Sequence, residues 1–553
     1  MFHVEHFFNL FFKMTISGKI IDIHLREIYG AEIFIDRGVI TDIRRMTNVP
    51  EQFIMPGLVD SHVHIESSML TPGAFATAVV SRGTVAVVSD PHEIANVLGL
   101  EGVKYMIEDA KKVPVRFFFG APSCVPATTF ETSGAVIGPE EIEELLKLPE
   151  IRYLSEMMNY PGVINENPEV MKKIETAKRS GRQIDGHAPG LTGEDLRKYI
   201  SAGINTDHEC STLSEAQEKI GLGMKIIIRE GSAARNLDAL KELLKTDPDM
   251  VMLCTDDIHP ETLLKGHINN LVARLISEGF NLFDVIRSCT INPVKHYSLD
   301  VGLLRTGDRA DFIVTGNLNK MEIDETWING VNVFSRGRVQ FKYEGAKPVN
   351  RFRSGRIKTQ DISISPGRGS MRVIKAFDGE LITKETLIRN TDNQLLLPDT
   401  ENDILKIVVK DRYDNAPPAT GFITGFGLKA GAFASSVAHD SHNIICIGAD
   451  NKDIVRAINE VVRIKGGLVV SINGKVDCLK LEIAGLMADD TAETVAEKYI
   501  LLSEKAKRLG CKMTSPFMTL SFMALLVIPE LKMSDKGLFD GRIFRHVPLF
   551  TGV

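Results

Sequence analysis

The sequence predicts an α/β protein: a (β/α)8 TIM-like barrel with a split small β-sandwich domain and a C-terminal α+β domain. Three observations point there. From Leu58 onward, short apolar strand-like runs alternate with helix-length amphipathic segments. Eight such runs end near Asp60, Ser89, Phe119, Glu156, His187, His208, Arg229 and Asp256, the count for a closed parallel barrel. Ionisable side chains gather where the runs end, the place from which such barrels act.

In chain order, residues 1–13 are rich in phenylalanine but broken by His3, Glu5 and His6. The stretch is too short and polar to span a bilayer and lacks the basic region and cleavage site of a signal peptide. It reads as an N-terminal extension, with Met14 as an alternative start. Residues 14–57 carry short β runs, with Arg37-Gly38 as a turn. Residues 58–298 are the barrel, with helices expected over 99–112, 139–148, 168–179, 193–202 and 233–244. Pro139 and Pro168 suit first helical turns. After Asn292-Pro293 the β texture returns, and residues 299–343 are expected to pair with 14–57 as the split β domain. Residues 344–370, rich in Arg, Lys, Ser, Gly and Pro, read as a linker. Residues 371–553 mix strands (407–409, 444–447, 467–472) with helices (452–464, 491–509), as an α+β domain does.

At 553 residues the chain is too long for one ordinary domain. Its 44% hydrophobic and 25% charged residues are those of a soluble globular protein. A net charge of -7 gives no basic footprint for nucleic acid or anionic membrane, so neither is an expected partner, whereas a small molecule is. The seven cysteines are scattered without a Cys-x-x-Cys pair. They read as reduced thiols in a cytoplasm. Cys210 and Cys254, near the candidate ligands, read as small packing residues.

His62 and His64 are two apart in Met55-Pro56-Gly57-Leu58-Val59-Asp60-Ser61-His62-Val63-His64. On a strand they point the same way, an arrangement that suits a metal. With Glu156, His187, His208 and Asp256 they can hold two divalent ions. His62, His64 and Asp256 would serve one, His187 and His208 the other, and Glu156 would give one oxygen to each. Any one of these residues alone is more often a satisfied polar group; six at strand ends is a pattern. Imidazole and carboxylate suit Mn, Fe or Zn. Two such ions share a hydroxide that is nucleophilic at neutral pH. Asp256 can carry a proton from nucleophile to leaving group. The reaction class is hydrolysis at an electron-poor carbon.

Other clusters carry two readings each. His92 and Glu93, in Ser89-Asp90-Pro91-His92-Glu93, can polarise or protonate a substrate, or Asp90-Pro91 simply shapes a helix start. Glu66 is a candidate substrate contact, beside Ser67 and Ser68, which can cap a helix. Asp257 can bind an exocyclic amine or brace its neighbour. The run Ala438-His439-Asp440-Ser441-His442-Asn443 can contact a metal or substrate, through His442 in particular, or form a polar turn. Gly425-Phe426-Gly427-Leu428-Lys429-Ala430 loosely fits a dinucleotide fingerprint without its βαβ frame.

The run Pro56-Gly57-Leu58-Val59-Asp60-Ser61-His62-Val63-His64 resembles the amidohydrolase superfamily. More narrowly, His64-Ile65-Glu66-Ser67-Ser68-Met69, Asp90-Pro91-His92-Glu93-Ile94-Ala95-Asn96-Val97, Glu156-Met157-Met158-Asn159, Asp185-Gly186-His187-Ala188-Pro189, Thr206-Asp207-His208-Glu209 and Thr255-Asp256-Asp257 look like the adenine deaminases of bacteria and archaea. So do the 438–443 run and Pro516-Phe517-Met518-Thr519-Leu520-Ser521-Phe522. The resemblance covers about Met14 to the C-terminus. It implies hydrolytic deamination of adenine to hypoxanthine and ammonia in purine salvage or catabolism, with manganese as the favoured metal and iron or zinc next. It also implies a homodimer. A cyclic amidase of the dihydroorotase or hydantoinase type is disfavoured, because those often bridge their metals with a carboxylated lysine where this chain has Glu156. A non-catalytic binding protein on the same scaffold is the remaining alternative.

Overall fold

Period-two alternation in residues 14–45 builds a meander. In the computed structural model, which describes residues 13–232, 234–389 and 396–551, β1 (Met14–Asp22) pairs antiparallel with β2 (Glu27–Asp36), and β2 with β3 (Val39–Arg45). The β2–β3 turn uses Arg37 (φ 49°) and Gly38 (φ 76°), two left-handed residues whose twist matches that of the strands. β4 (Phe53–Pro56) runs parallel to β1. The proposed extension, residues 1–13, lies outside the described residues except for Lys13.

The barrel strands follow. They are β5 (Leu58–Val63), β6 (Thr84–Ser89), β7 (Arg116–Ala121), β8 (Ile151–Met157), β9 (Gln183–Gly186), β10 (Thr206–Asp207), β11 (Lys225–Arg229) and β12 (Val251–Cys254). β5 to β9 form one parallel sheet and β10 to β12 another. The ring is joined where Val63 bridges Asp256, with the Asp256 amide donating to His62 O (2.9 Å) and the His64 amide to Asp256 O (3.3 Å). β5 is buried along its whole length, as a strand covered on both faces must be. The expected helix over 168–179 forms as Pro168–Arg179, capped by the Asn167 side chain. The segment expected as one helix over 233–244 is instead Leu237–Leu240 and Leu243–Thr246; Ala233 itself is outside the described residues.

β13 (Phe312–Thr315), β14 (Ile323–Ile328), β15 (Val331–Ser335) and β16 (Arg338–Val339) return to the first sheet through β4, with Phe312 opposite Pro56 and Thr315 opposite Phe53. Ile33 and Ile40 from one side of the order and Phe312 and Val314 from the other bury in one core.

The described chain divides into two compact units. The first comprises residues up to 91, 104–123 and 138–346, and holds the strands named so far. The second comprises 92–103, 124–137 and 347 onward. Its eight-stranded sheet has the order β18-β17-β20-β19-β22-β21-β23-β24. These are β17 (Ser370–Lys375), β18 (Lys384–Arg389), β19 (Leu405–Lys410), β20 (Ala419–Thr424), β21 (Ala432–Ser435), β22 (Ile444–Gly448), β23 (Gly467–Ile472) and β24 (Lys475–Lys480). The helix Asn451–Ile464 places Ile454, Ala457, Ile458 and Val461 on this sheet's core, the spacing of one helical face. Thr491 caps the helix Ala492–Arg508. Residues 92–103 and 124–137 cluster with this unit although they lie between barrel strands in sequence. No helix among the described residues is long and apolar enough to cross a membrane.

Candidate metal centre

The six sequence-derived ligands sit at or just past the C-terminal ends of barrel strands in the first unit, and all are buried or nearly so. His62 is on β5 and His64 just beyond it. Their Nε2 atoms are 3.2 Å apart. His64 Nε2 is 3.2 Å and His62 Nε2 3.7 Å from Asp256 Oδ1. Donors on one cation, each about 2.0–2.2 Å from it, stand roughly 3–4 Å from one another, so these three match a single ion. On the other side, Glu156 Oε2 is 2.8 Å from His187 Nδ1 and 3.0 Å from His208 Nε2. Glu156 Oε1 faces His64 Nε2 at 3.6 Å. One carboxylate therefore offers one oxygen to each set, the arrangement of a bridge. The His62 and His208 rings stack at 4.3 Å.

The surroundings orient these donors. His64 Nδ1 lies 3.1 Å from Asp90 O; an N–H donating there leaves Nε2 as the lone-pair donor. Asp60, buried under the site, accepts from the Thr255 amide (3.1 Å) and hydroxyl, fixing β5 to the segment that carries Asp256. Gly186 precedes His187 where a Cβ would lie 2.3 Å from Thr206 O. Any side chain there would part β9 from β10 and with them His187 from His208. Asp256 sits at φ 54°, a left-handed conformation that aspartate tolerates better than most residues.

Charge follows from packing. Burial, then the neighbouring His208 and His64, push His62 well below its ordinary value, so it is neutral, as a ligand must be. Burial would raise Glu156, but His187 and His208 hold it well below the usual carboxylate range. Burial would lower His208, yet its hydrogen bond with Glu156 brings it up to about 9. A divalent cation would take the place of those protons. The donor set fits a pair of cations of the Mn, Fe or Zn type.

Two residues here escaped the sequence reading. Arg229, buried at the end of β11, donates to Asp256 Oδ2 (2.7 Å) and to both oxygens of Glu209. Its guanidinium leaves Asp256 with one oxygen for the histidines, and holds that carboxyl well below its usual range against the cost of burial. Glu209 Oε1 is also 3.4 Å from His208 Nε2 and 3.6 Å from His187 Nδ1. The available signal was an arginine closing an apolar strand.

The remaining candidates divide between the units. Glu66 is buried on the 3-10 turn Ile65–Ser68 after β5. Asp257 accepts a hydrogen bond from Ser67, while Ser68 closes its own turn on Ile65 O (2.6 Å). His92 and Glu93 open the helix His92–Leu98 in the second unit. There Glu93 Oε1 lies 2.6 Å from His439 Nδ1, and its other oxygen meets His442 Nε2. Burial would raise Glu93, but His439, His442 and His92 hold it well below the usual range. These three histidines favour its carboxylate form.

Residues 53–333 match the family described as Amidohydrolase family, and residues 380–545 match Adenine deaminase C-terminal domain. The chain is 52% identical over 548 residues to "Adenine deaminase" of Methanosarcina barkeri (strain Fusaro / DSM 804), covering 97% of this chain and 100% of that protein. It is 51% identical to "Adenine deaminase" of Methanosarcina mazei, covering 97% and 99%. Among solved structures, a β-aspartyl dipeptidase from Fervidobacterium islandicum AW-1 aligns at 15% identity with a TM-score of 0.47, covering 60% of this chain and 99% of that one. The chain belongs to the amidohydrolase family, in its adenine deaminase branch.

Proposed function

We propose that the chain hydrolyses adenine at C6, giving hypoxanthine and ammonia. The observation that supports this most is Glu156 with one oxygen toward His64 and the other toward His187 and His208, in a chain half identical to adenine deaminases over nearly its whole length. His62, His64 and Asp256 would hold one divalent cation, His187 and His208 the other, and Glu156 both. When bound, the pair supplies a nucleophile from water at neutral pH. Manganese is our assignment, with iron or zinc as alternatives.

The protein's own groups then do the positioning and the proton transfer. Asp256 accepts the proton of the attacking water on Oδ1 and returns it to the departing amine, which leaves as ammonia. Arg229 holds Oδ2 throughout, so the carboxylate cannot rotate away. Glu66 and Asp257 are the proposed substrate contacts on the first unit, Asp257 steadied by Ser67. Seven scattered cysteines without a Cys-x-x-Cys pair support a reducing cytoplasm as the site of action. A homodimer completes the proposal.

Mixing the Mn-loaded protein with adenine tests this. Stoichiometric ammonia and hypoxanthine are expected. No ammonia from adenine, with ring opening of dihydroorotate, would assign a cyclic amidase instead.

A further inference from the structure

The second unit contains its own cluster of ligand-type side chains. The helix His92–Leu98 contributes His92 and Glu93, and the turn before β22 contributes His439, Asp440 and His442. All five are buried, none more than 6% exposed. Around Glu93 Oε1 lie His439 Nδ1 at 2.6 Å and His92 Nε2 at 3.4 Å. Asp440 Oδ1 lies 3.8 Å from His439 Nδ1 and 4.0 Å from His92 Nε2. His92, Glu93 and Asp440 each offer an atom within 4.8 Å of the others. Four donors at these separations outline a shell that one small cation can fill with little movement.

His442 has a different part. Its Nδ1 accepts the Ala438 amide (3.4 Å), so the neutral ring carries its proton on Nε2, the atom that meets the second oxygen of Glu93. A ring protonated on that nitrogen orients a carboxylate and does not ligate a metal. The turn itself is pinned. Tyr413 donates to Ser441 O (2.6 Å), Arg412 to His442 O (3.2 Å), and Asn443 to Thr132 O (2.8 Å). A preorganised set of this kind loses little entropy on taking a cation.

We propose that His92, Glu93, His439 and Asp440 form a third divalent-cation site, with His442 orienting Glu93. Two imidazoles and two carboxylates suit the same first-row cations as the first centre. The cation would join residues 92–103 to the 438–443 turn, segments about 340 positions apart in the chain, and so cross-link the second unit. His92 is then a ligand, and the proton-transfer role read for it from the sequence passes to another group.

The test is metal content. Full-length protein loaded with Mn(2+) and freed of loose metal is analysed by plasma emission. Three equivalents per chain are expected, two in His439→Ala, and at least one retained in the double variant His62→Ala/His64→Ala. Asp440→Asn, which keeps the shape of the side chain, is expected to bind two as well and stands in should His439→Ala fail to fold. Two equivalents in the parent, unchanged in His439→Ala or Asp440→Asn, overturn the proposal while leaving the first centre intact. Three in the parent and three in both variants overturn it too, because the extra cation then sits elsewhere.

Discussion

Arg229→Met is the change whose consequence can be worked out most fully. The guanidinium is the cation shared by two buried carboxylates, Glu209 and Asp256. Methionine keeps much of the apolar stem and removes the charge. Two carboxylates are left without it in a water-poor site. Removing one partner of a buried ion pair costs about 3–5 kcal/mol, mostly because the stranded charge stays desolvated. The loss should fall within that range in chelator-treated protein, where no bound cation can replace the arginine. Trp327, the sole tryptophan, lies on β14 of the same unit, so its fluorescence in a urea titration reports this unit's unfolding. Adding Glu209→Gln neutralises one stranded charge and should recover at least about 1 kcal/mol, a coupling expected of groups in contact. If Arg229→Met stays within about 0.5 kcal/mol of the parent, or if Glu209→Gln adds its own loss, the ion-pair argument is wrong.

Further expectations follow from the same geometry. Asp256→Asn should lower turnover of adenine by roughly 10²–10⁴-fold, the range for a positioned proton-transfer group, with an unchanged circular dichroism spectrum; near-parental turnover would remove Asp256 from the chemistry. His187→Ala should lower bound manganese by about one equivalent, and full occupancy in that variant would contradict its place as a ligand. Burial lowers Lys532 to about 7 from the ordinary 10.5. Below the lower value the folded protein bears the full cost of a buried ammonium, and the cost fades as pH climbs toward the unfolded value. The stability of the parent relative to Lys532→Met should therefore rise from about pH 7 to about pH 9. A pH-independent difference would show that Lys532 stays charged in the fold.

What the sequence disclosed and what it withheld have physical reasons. Strand periodicity is local, so His62 and His64 could be seen to share a face and Glu156, His187, His208 and Asp256 to close apolar runs. The barrel places strand ends together whatever the loops do, and the six residues converge. Arg229 and Glu209 were not assigned because their pairing crosses three strands, and no spacing rule encodes which buried charge meets which. Helix 168–179 was legible from Pro168 and its apolar face, while the stretch from Leu237 to Thr246 forms two short helices although its leucines keep helical spacing. The sheet of the second unit shows eight strands where residues 407–409, 444–447 and 467–472 suggested three. β18, with alternating exposure, carries too few buried positions to announce itself. The grouping of 92–103 and 124–137 with the second unit is a matter of tertiary contact. It sets Glu93 between His439 and His442, a contact no local spacing encodes.

The most direct measurement is a crystal of the Mn-loaded protein with anomalous diffraction recorded at the manganese edge. Within the first unit the account predicts two peaks, roughly 3.5–4 Å apart, one beside His62, His64 and Asp256, the other beside His187 and His208, with Glu156 between them. A single peak there, or metal bound away from Glu156, would contradict it.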